Sequence, residues 1–184
     1  SVETLGSTTA VCSDKTGTLT QNEMTITKVF TDFKEFDVAG SGYTPEGDIT
    51  LEGETIADHD QIKLLMTVAS LSNDANLIER NGLYEITGDP TEGAMLTLAE
   101  KWGIVQEDLN EAHPRIDEIP FDSDRKMMTT FHEMDGTYYA MTKGAPDIMI
   151  NNSSKIMVDG KLEDFTEDMK RQVLEENTKL AKQA

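Results

Sequence analysis

Positive charge is scarce in this chain. Sixteen lysines and arginines stand against 35 aspartates and glutamates, a formal net charge of -19. That balance excludes attraction of the surface as a whole to DNA, RNA or anionic lipid, so no nucleic-acid partner is expected. The acids are spread along the chain rather than gathered in a tail, as on a solvated surface. An anionic ligand would need a local cluster of cations, and those cations become candidate site residues. Cysteine is nearly absent: Cys12 stands alone, so no intrachain disulfide can form, which fits a reducing compartment. Cys12 itself is expected to pack as a small apolar residue. No run approaches the ~20 apolar residues of a membrane span. No signal-peptide pattern opens the chain, where Ser1 to Gly6 is polar, so the sequons at Asn151 and Asn152 carry no weight. His59, His113 and His132 lie far apart, without metal-ligand spacing, and are expected at the surface or at edges. No internal repeat is visible. The 184 residues, 37% of them hydrophobic, suffice for one large domain with a core, or a domain plus a fragment.

Periodicity predicts the elements. Val11 to Asp14 reads as the end of a buried strand, Met24 to Phe30 as a half-buried alternating strand and Phe36 to Val38 as another. Gly40 to Gly53 reads as a loop. Ile62, Leu65, Met66 and Ala69 recur at helical spacing within Asp58 to Leu71, with an acidic cap. Asn73 to Asn81 reads as a turn region. Asp89 as N-cap and Pro90 as first helical residue open a helix running to about Trp102. Ile116 to Pro120, Lys126 to Glu133 and Tyr138 to Thr142 read as strands, the last two joined by a turn at Asp135-Gly136. A short helix over Ala145 to Ile150, a strand over Ile156 to Val158 turning at Asp159-Gly160, and a charged helix over Thr166 to Ala184 complete the order. The expected fold is α+β: an antiparallel sheet flanked by helices, preceded by one strand and loop carrying Asp14. Later strands joined by hairpins cannot supply a doubly wound parallel sheet.

The densest chemistry lies in Cys12-Ser13-Asp14-Lys15-Thr16-Gly17-Thr18-Leu19-Thr20. An acid, a base, a glycine and hydroxyls in one tight segment suit a carboxylate nucleophile that attacks a terminal phosphoryl group and holds it as an acyl phosphate. Lys15 offers fixed positive charge. Thr16 and Thr18 offer hydroxyl and backbone groups, and Gly17 admits an anion close to the backbone. The alternative is a strand ending in a polar turn, with Asp14 merely solvated.

This segment resembles the phosphorylation motif of the P-type cation-transporting ATPases, and Gln21-Asn22-Glu23-Met24-Thr25 continues the likeness toward the calcium-pump branch. Three further segments resemble the nucleotide-binding domain of the same pumps: Gly88-Asp89-Pro90-Thr91-Glu92, Phe121-Asp122-Ser123-Asp124-Arg125-Lys126 and Lys143-Gly144-Ala145-Pro146-Asp147. The resemblance implies ATP as ligand, with Glu92, Phe121, Arg125, Lys126, Lys143 and Gly144 around the nucleotide. It implies Asp14, Lys15, Thr16 and Thr18 at the phosphoryl acceptor, and magnesium on Asp14 and Thr16. It implies a boundary near residue 23, with 1–23 a piece of the phosphorylation domain. Residues 24–184 would then be the nucleotide-binding domain, possibly truncated at its C-terminal end. The expected partners are ATP and the rest of the pump: the remaining phosphorylation domain, the actuator and the membrane domains. The parent would be an ion-translocating membrane pump with this segment at the cytosolic face, and the later motifs that complete its catalytic site do not occur in these 184 residues.

Each nucleotide residue has a plainer alternative. Glu92 with Asp89 forms the pattern of a capping box. Phe121 could end a strand in the core, although the polar run after it points to solvent. Arg125, Lys126 and Lys143 could be solvated cations paired with nearby acids. Where animal calcium pumps carry an arginine this chain has Ser123, which would weaken phosphate contact or shift it to Arg125 or Lys126. Two rival functions stand beside the pump. A soluble phosphatase of the haloacid-dehalogenase type also uses a nucleophilic aspartate, but it usually carries a second aspartate where this chain has Thr16. A non-catalytic acidic interaction module would explain the charge but not the pocket segments.

Overall fold

The computed structural model describes residues 10, 12–15, 18, 20 and 23–183. Strands β1 (Lys28–Thr31), β2 (Lys34–Val38), β3 (Ile49–Leu51) and β4 (Glu54–Thr55) form an antiparallel sheet in sequential order. Helix α1 (Asp60–Leu71) follows, then the hairpin β5 (Asn76–Arg80) and β6 (Leu83–Thr87), helix α2 (Pro90–Lys101) and helix α3 (Gln106–Ala112). The second larger sheet is the antiparallel β7 (Arg115–Asp122), β8 (Met127–Met134) and β9 (Thr137–Gly144). Helix α4 (Pro146–Asn152), the hairpin β10 (Lys155–Val158) and β11 (Lys161–Asp164), and helix α5 (Glu167–Ala181) complete the chain. The architecture is the expected α+β one, with every strand pairing antiparallel. No helix among the described residues is long and apolar enough to cross a membrane.

One core joins the first sheet to two helices. Val29, Phe36, Val38 and Ile49 from β1–β3 pack with Ile62 and Met66 of α1 and Leu98 and Ala99 of α2. Phe36 and Ile62 are fully buried. The helical spacing of Ile62 and Met66 therefore reports the core face. Leu65, placed on the same stripe from sequence, is 41% exposed at the margin of that face. The cap of α1 is His59 rather than an acid, and it makes no side-chain cap bond.

Several segments differ from expectation. Gly40 to Gly53 contains β3, because Ile49 is buried and pairs with Val38. Asn73 to Asn81 contains β5, whose hairpin turns at Asn81-Gly82 with positive φ at both residues. Helix α3 was not foreseen; its seven residues bury no side chain completely. Cys12, Ser13 and Asp14 are exposed and outside any strand, because no strand of the described chain pairs with them. Val11 lies outside the described residues. His132 is fully buried rather than at the surface. Burial is tolerated because Nδ1 lies 2.8 Å from the His113 carbonyl oxygen and Nε2 3.0 Å from Thr130 Oγ1, so both ring nitrogens are satisfied.

Candidate functional site: a nucleotide-binding cluster

Helix α2 places Glu92. Its start is fixed as the sequence predicts: Asp89 Oδ1 accepts from the amides of Thr91 (2.8 Å) and Glu92 (3.3 Å), with Pro90 at the first helical position. Burial pushes the Asp89 carboxyl up, but hydrogen bonds from Thr91 and Glu92 and the charge of Lys143 outweigh it, leaving the group below its ordinary value. Only half of the capping box forms. The Glu92 carboxylate turns away from the cap: Oε1 accepts from Lys143 Nζ at 2.5 Å, and Oε2 accepts from the Asp74 amide at 3.1 Å. Glu92 and Lys143 are 18% and 20% exposed, so the pair is mostly shielded yet reachable from solvent.

The three-stranded sheet supplies the opposite wall. Lys143, next to last in β9, stands across from Met128. On the other side of Met128 the register of β7 and β8 breaks: Ile119 pairs with Thr129 and Asp122 with Met127. Pro120 and Phe121 thus share the position opposite Met128. Such a bulge re-aims the side chains of its strand. Phe121 and Lys143 flank one residue from its two sides, and Phe121 is 65% exposed. A phenylalanine so exposed beside a shielded ion pair is available for stacking, and the core alternative is excluded.

The turn after Phe121 is tightly built. Asp122 Oδ1 accepts from the amides of Asp124 (2.9 Å) and Arg125 (2.8 Å), and the Lys126 amide donates to the Asp122 carbonyl at 2.7 Å. Lys126 has φ of 54°, a left-handed conformation uncommon outside glycine, and strain of this kind often marks functional turns. The Lys126 carbonyl accepts from the Ala145 amide at 3.0 Å. Gly144 makes this approach possible, since a Cβ there would lie 2.6 Å from both the Lys126 carbonyl oxygen and Met127 Cγ. Arg125 directs Nη2 toward Thr129 Oγ1 (3.4 Å), on the strand position next to Met128, while Nη1 is buried without a partner among the described residues. Its guanidinium packs on the sheet, as a group that orients the loop would.

The structure therefore joins Glu92 to Lys143, sets Gly144 against the Lys126 carbonyl, and places Phe121 across Met128 from Lys143. Asp14, Lys15 and Thr18 lie in the N-terminal segment, apart in sequence from the residues of this cluster. All three are exposed, and the Thr20 amide donates to the Lys15 carbonyl at 3.2 Å. Thr16 lies outside the described residues. A cavity of about 900 Å³ lies elsewhere, between the β5–β6 hairpin, α2 and α3, lined by Tyr84, Glu100 and Gln106 among others, and shares none of the cluster residues. The cluster is the better candidate for an anionic ligand because it holds two lysines, whereas the cavity lining carries four glutamates and no cation among the described residues.

A set of residues not singled out from sequence supports Glu92 from behind. Asn73 Nδ2 donates to the Glu92 carbonyl (3.0 Å) and the Ala69 carbonyl (3.2 Å), and Asn73 Oδ1 accepts from the Ala75 amide (2.9 Å). Arg115 ties the same segment to β7. Burial disfavours its charge, but Asp74 and Glu118 more than compensate, raising its affinity for the proton. Only the polar run Ser72-Asn73-Asp74 after a helix signals this in sequence, and it equally describes an ordinary turn.

The chain is an α+β domain of antiparallel strands and helices that carries an open cluster of carboxylate, lysines and an exposed aromatic. The comparison with known families makes it particular: the chain belongs to the family described as P-type ATPase, cytoplasmic domain N, which matches residues 61–184. It is similar to a calcium-transporting ATPase of Bacillus subtilis (strain 168), 44% identical over all of this chain and 21% of that protein. It is likewise similar to calcium-transporting ATPase 1 of Lactococcus lactis subsp. lactis, 37% identical over all of this chain and 19% of that protein. A third relative is the cation-transporting ATPase pma1 of Synechocystis, 38% identical over 94% of this chain and 21% of that protein. The chain spans about one fifth of the length of these relatives.

Proposed function

We propose that this chain is the ATP-binding cytosolic part of an ion-translocating pump that forms an aspartyl phosphate on Asp14 during ATP hydrolysis. The observation that carries the proposal is the 2.5 Å contact between Glu92 and Lys143, which unites two motif segments 51 residues apart in sequence beside the exposed Phe121. Adenine lies on Phe121 between Glu92 and Lys143, its amino group donates to Glu92, and Lys126 reaches toward the phosphates. Arg125 holds the turn, and Gly144 keeps β9 close to Lys126. Residues 1–23 belong to the phosphorylation domain and 24–184 to the nucleotide-binding domain. The names of the relatives favour a cation as cargo, and calcium first. The parent sits in a membrane with this segment on its cytosolic side, and its partners are the remaining phosphorylation, actuator and membrane domains.

Magnesium fits the acceptor loop. The Asp14 carboxylate is exposed, and a magnesium ion prefers one or two carboxylates completed by phosphate and water over an all-protein cage. Asp14 and Thr16 would hold it, and when bound it neutralises charge on the phosphoryl group. Lys15 adds a fixed cation beside the acceptor, and Thr18 a hydroxyl. Positioning and charge neutralisation carry most of the catalysis in phosphoryl transfer.

The test is incubation of this chain with labelled ATP and magnesium, with binding and covalent labelling measured separately. Weak saturable binding without stoichiometric label is expected, because the later family motifs are not among these 184 residues. Stoichiometric acid-stable, hydroxylamine-labile label would contradict the assignment of this chain as part of a larger site. Absence of binding at millimolar ATP would contradict the nucleotide site itself.

A further inference from the structure

We propose that Arg115 is a positioning residue for Glu92, acting through a single peptide group between Asn73 and Asp74; this rests on the proposed role of Glu92 as acceptor of the adenine amino group. Arg115 Nη2 donates to the Asn73 carbonyl at 2.7 Å, and at 3.4 Å to the Leu71 carbonyl. Its Nη1 donates to Asp74 Oδ1 (2.7 Å) and to Glu118 Oε2 (2.6 Å). The Asn73 carbonyl and the Asp74 amide belong to one peptide unit, and that amide donates to Glu92 Oε2 at 3.1 Å. The peptide bond is planar, so fixing its oxygen fixes the direction of its N–H. A guanidinium on the oxygen and a carboxylate on the N–H also polarise the same group in the same sense, strengthening both bonds.

The surroundings permit little slack. Asn73 is 3% exposed, and its side chain is tied to the backbone of Ala69, Ala75 and Glu92. Arg115 is the one cation bonded to this peptide among the described residues. Its rigid fork holds the Asn73 carbonyl and the Asp74 carboxylate at once, a geometry that the point charge of lysine does not reproduce. With Arg115 removed, the Asn73 carbonyl loses its guanidinium, the direction of the Asp74 N–H is held less firmly, and its bond to the Glu92 carboxylate weakens against the one from Lys143. Glu92 would then swing toward the lysine and away from a base lying on Phe121.

Base selectivity reads this directly. Inosine triphosphate carries a carbonyl where ATP carries the amino group, so a fixed Glu92 favours ATP. Both nucleotides are titrated calorimetrically into this chain, its Glu92→Gln, Arg115→Met, Arg115→Lys and Glu118→Gln variants, and the Glu92→Gln/Arg115→Met double variant. The unaltered chain should prefer ATP, and Glu92→Gln should abolish the preference. Arg115→Met should lower it by roughly tenfold, on the scale of one hydrogen bond to a charged group. Arg115→Lys should recover only part, Glu118→Gln should leave the ratio intact, and in the double variant Arg115→Met should add nothing. A merely structural arginine would alter stability and overall affinity but not the ratio. If Arg115→Met does not fold, Arg115→Lys decides. A folded Arg115 variant with an unchanged ratio, while Glu92→Gln loses the preference, overturns the proposal alone. No preference in the unaltered chain, or one that survives Glu92→Gln, overturns the role of Glu92 as well.

Discussion

Replacing Lys143 by methionine should injure stability and nucleotide binding together, through the same carboxylate. Methionine keeps most of the stem and removes the ammonium, so Glu92 loses its 2.5 Å partner and retains only the Asp74 amide. Exposed pairs are worth ~0–1 kcal/mol, and removing one partner of a fully buried pair costs about 3–5 kcal/mol. With both side chains about four-fifths shielded, at 20% and 18% exposure, an intermediate loss of about 1–2 kcal/mol is expected. Glu92→Gln should cost a similar amount by stranding the lysine. The double variant should be less damaged than the sum, with a coupling of roughly 1 kcal/mol. Urea unfolding of the four proteins measures this, read as shifts in midpoint at constant slope. ATP titration of the same set should show affinity falling about tenfold or more in each single variant, since a hydrogen bond to a charged group is worth about 1.5–3 kcal/mol. Additive stability changes, within about 0.3–0.5 kcal/mol, would refute the pairing. Unchanged ATP affinity in a folded Lys143→Met would refute its place at the site.

Phe121→Ala should leave the melting temperature nearly unchanged, because the ring is 65% exposed, while costing ~1–3 kcal/mol of ATP affinity if adenine stacks there; calorimetry and thermal melting on one sample decide it. Gly144→Ala forces a Cβ to 2.6 Å from the Lys126 carbonyl and should destabilise by about 1–3 kcal/mol while displacing the Lys126 turn, visible as changed amide shifts at Lys126 and Ala145. Asp89→Ala should cost about 1 kcal/mol as a lost helix cap, checked by urea unfolding. Hydrogen bonds from Lys28 and then Lys179 hold the Glu35 carboxyl down at about 2, from an ordinary 4.5. A depressed carboxyl contributes stability above the ordinary value and loses it as pH falls through the folded value. The tie between α5 and β2 through Lys179 and Glu35 should therefore weaken from about pH 4.5 down to about pH 2, and Glu35→Gln should flatten that part of the stability profile.

What was legible in the sequence was whatever carries its own local chemistry. Asp89-Pro90 marked the start of α2 because a cap and a fixed φ act within one turn. Asp135-Gly136 and Asp159-Gly160 marked hairpins because both residues of each pair adopt positive φ. The same signal stood at Asn81-Gly82, yet β5 and β6 went unseen, since Glu79, Arg80 and Glu85 obscure their alternation. β3 is three residues within a glycine- and acid-rich stretch, and its pairing with β2 is a tertiary fact. The burial of His132 could not be foreseen, because the acceptor for its ring is the carbonyl of His113 on another element. At the site, residue identities were readable and their relations were not. Glu92 looked like half of a capping box, and only the arrival of Lys143 and the Asp74 amide shows where its carboxylate turns. The bulge that sets Phe121 beside Met128 depends on register between strands, which no short sequence window contains.

The most direct test of the nucleotide site is an amide chemical-shift titration of the folded chain with ATP. Shifts that saturate together at Thr91 and Glu92, Phe121 to Lys126 and Lys143 to Ala145 are expected. A folded chain whose spectrum ignores millimolar ATP, or whose shifts gather around Tyr84, Glu100 and Gln106 in the acidic cavity instead, would contradict it.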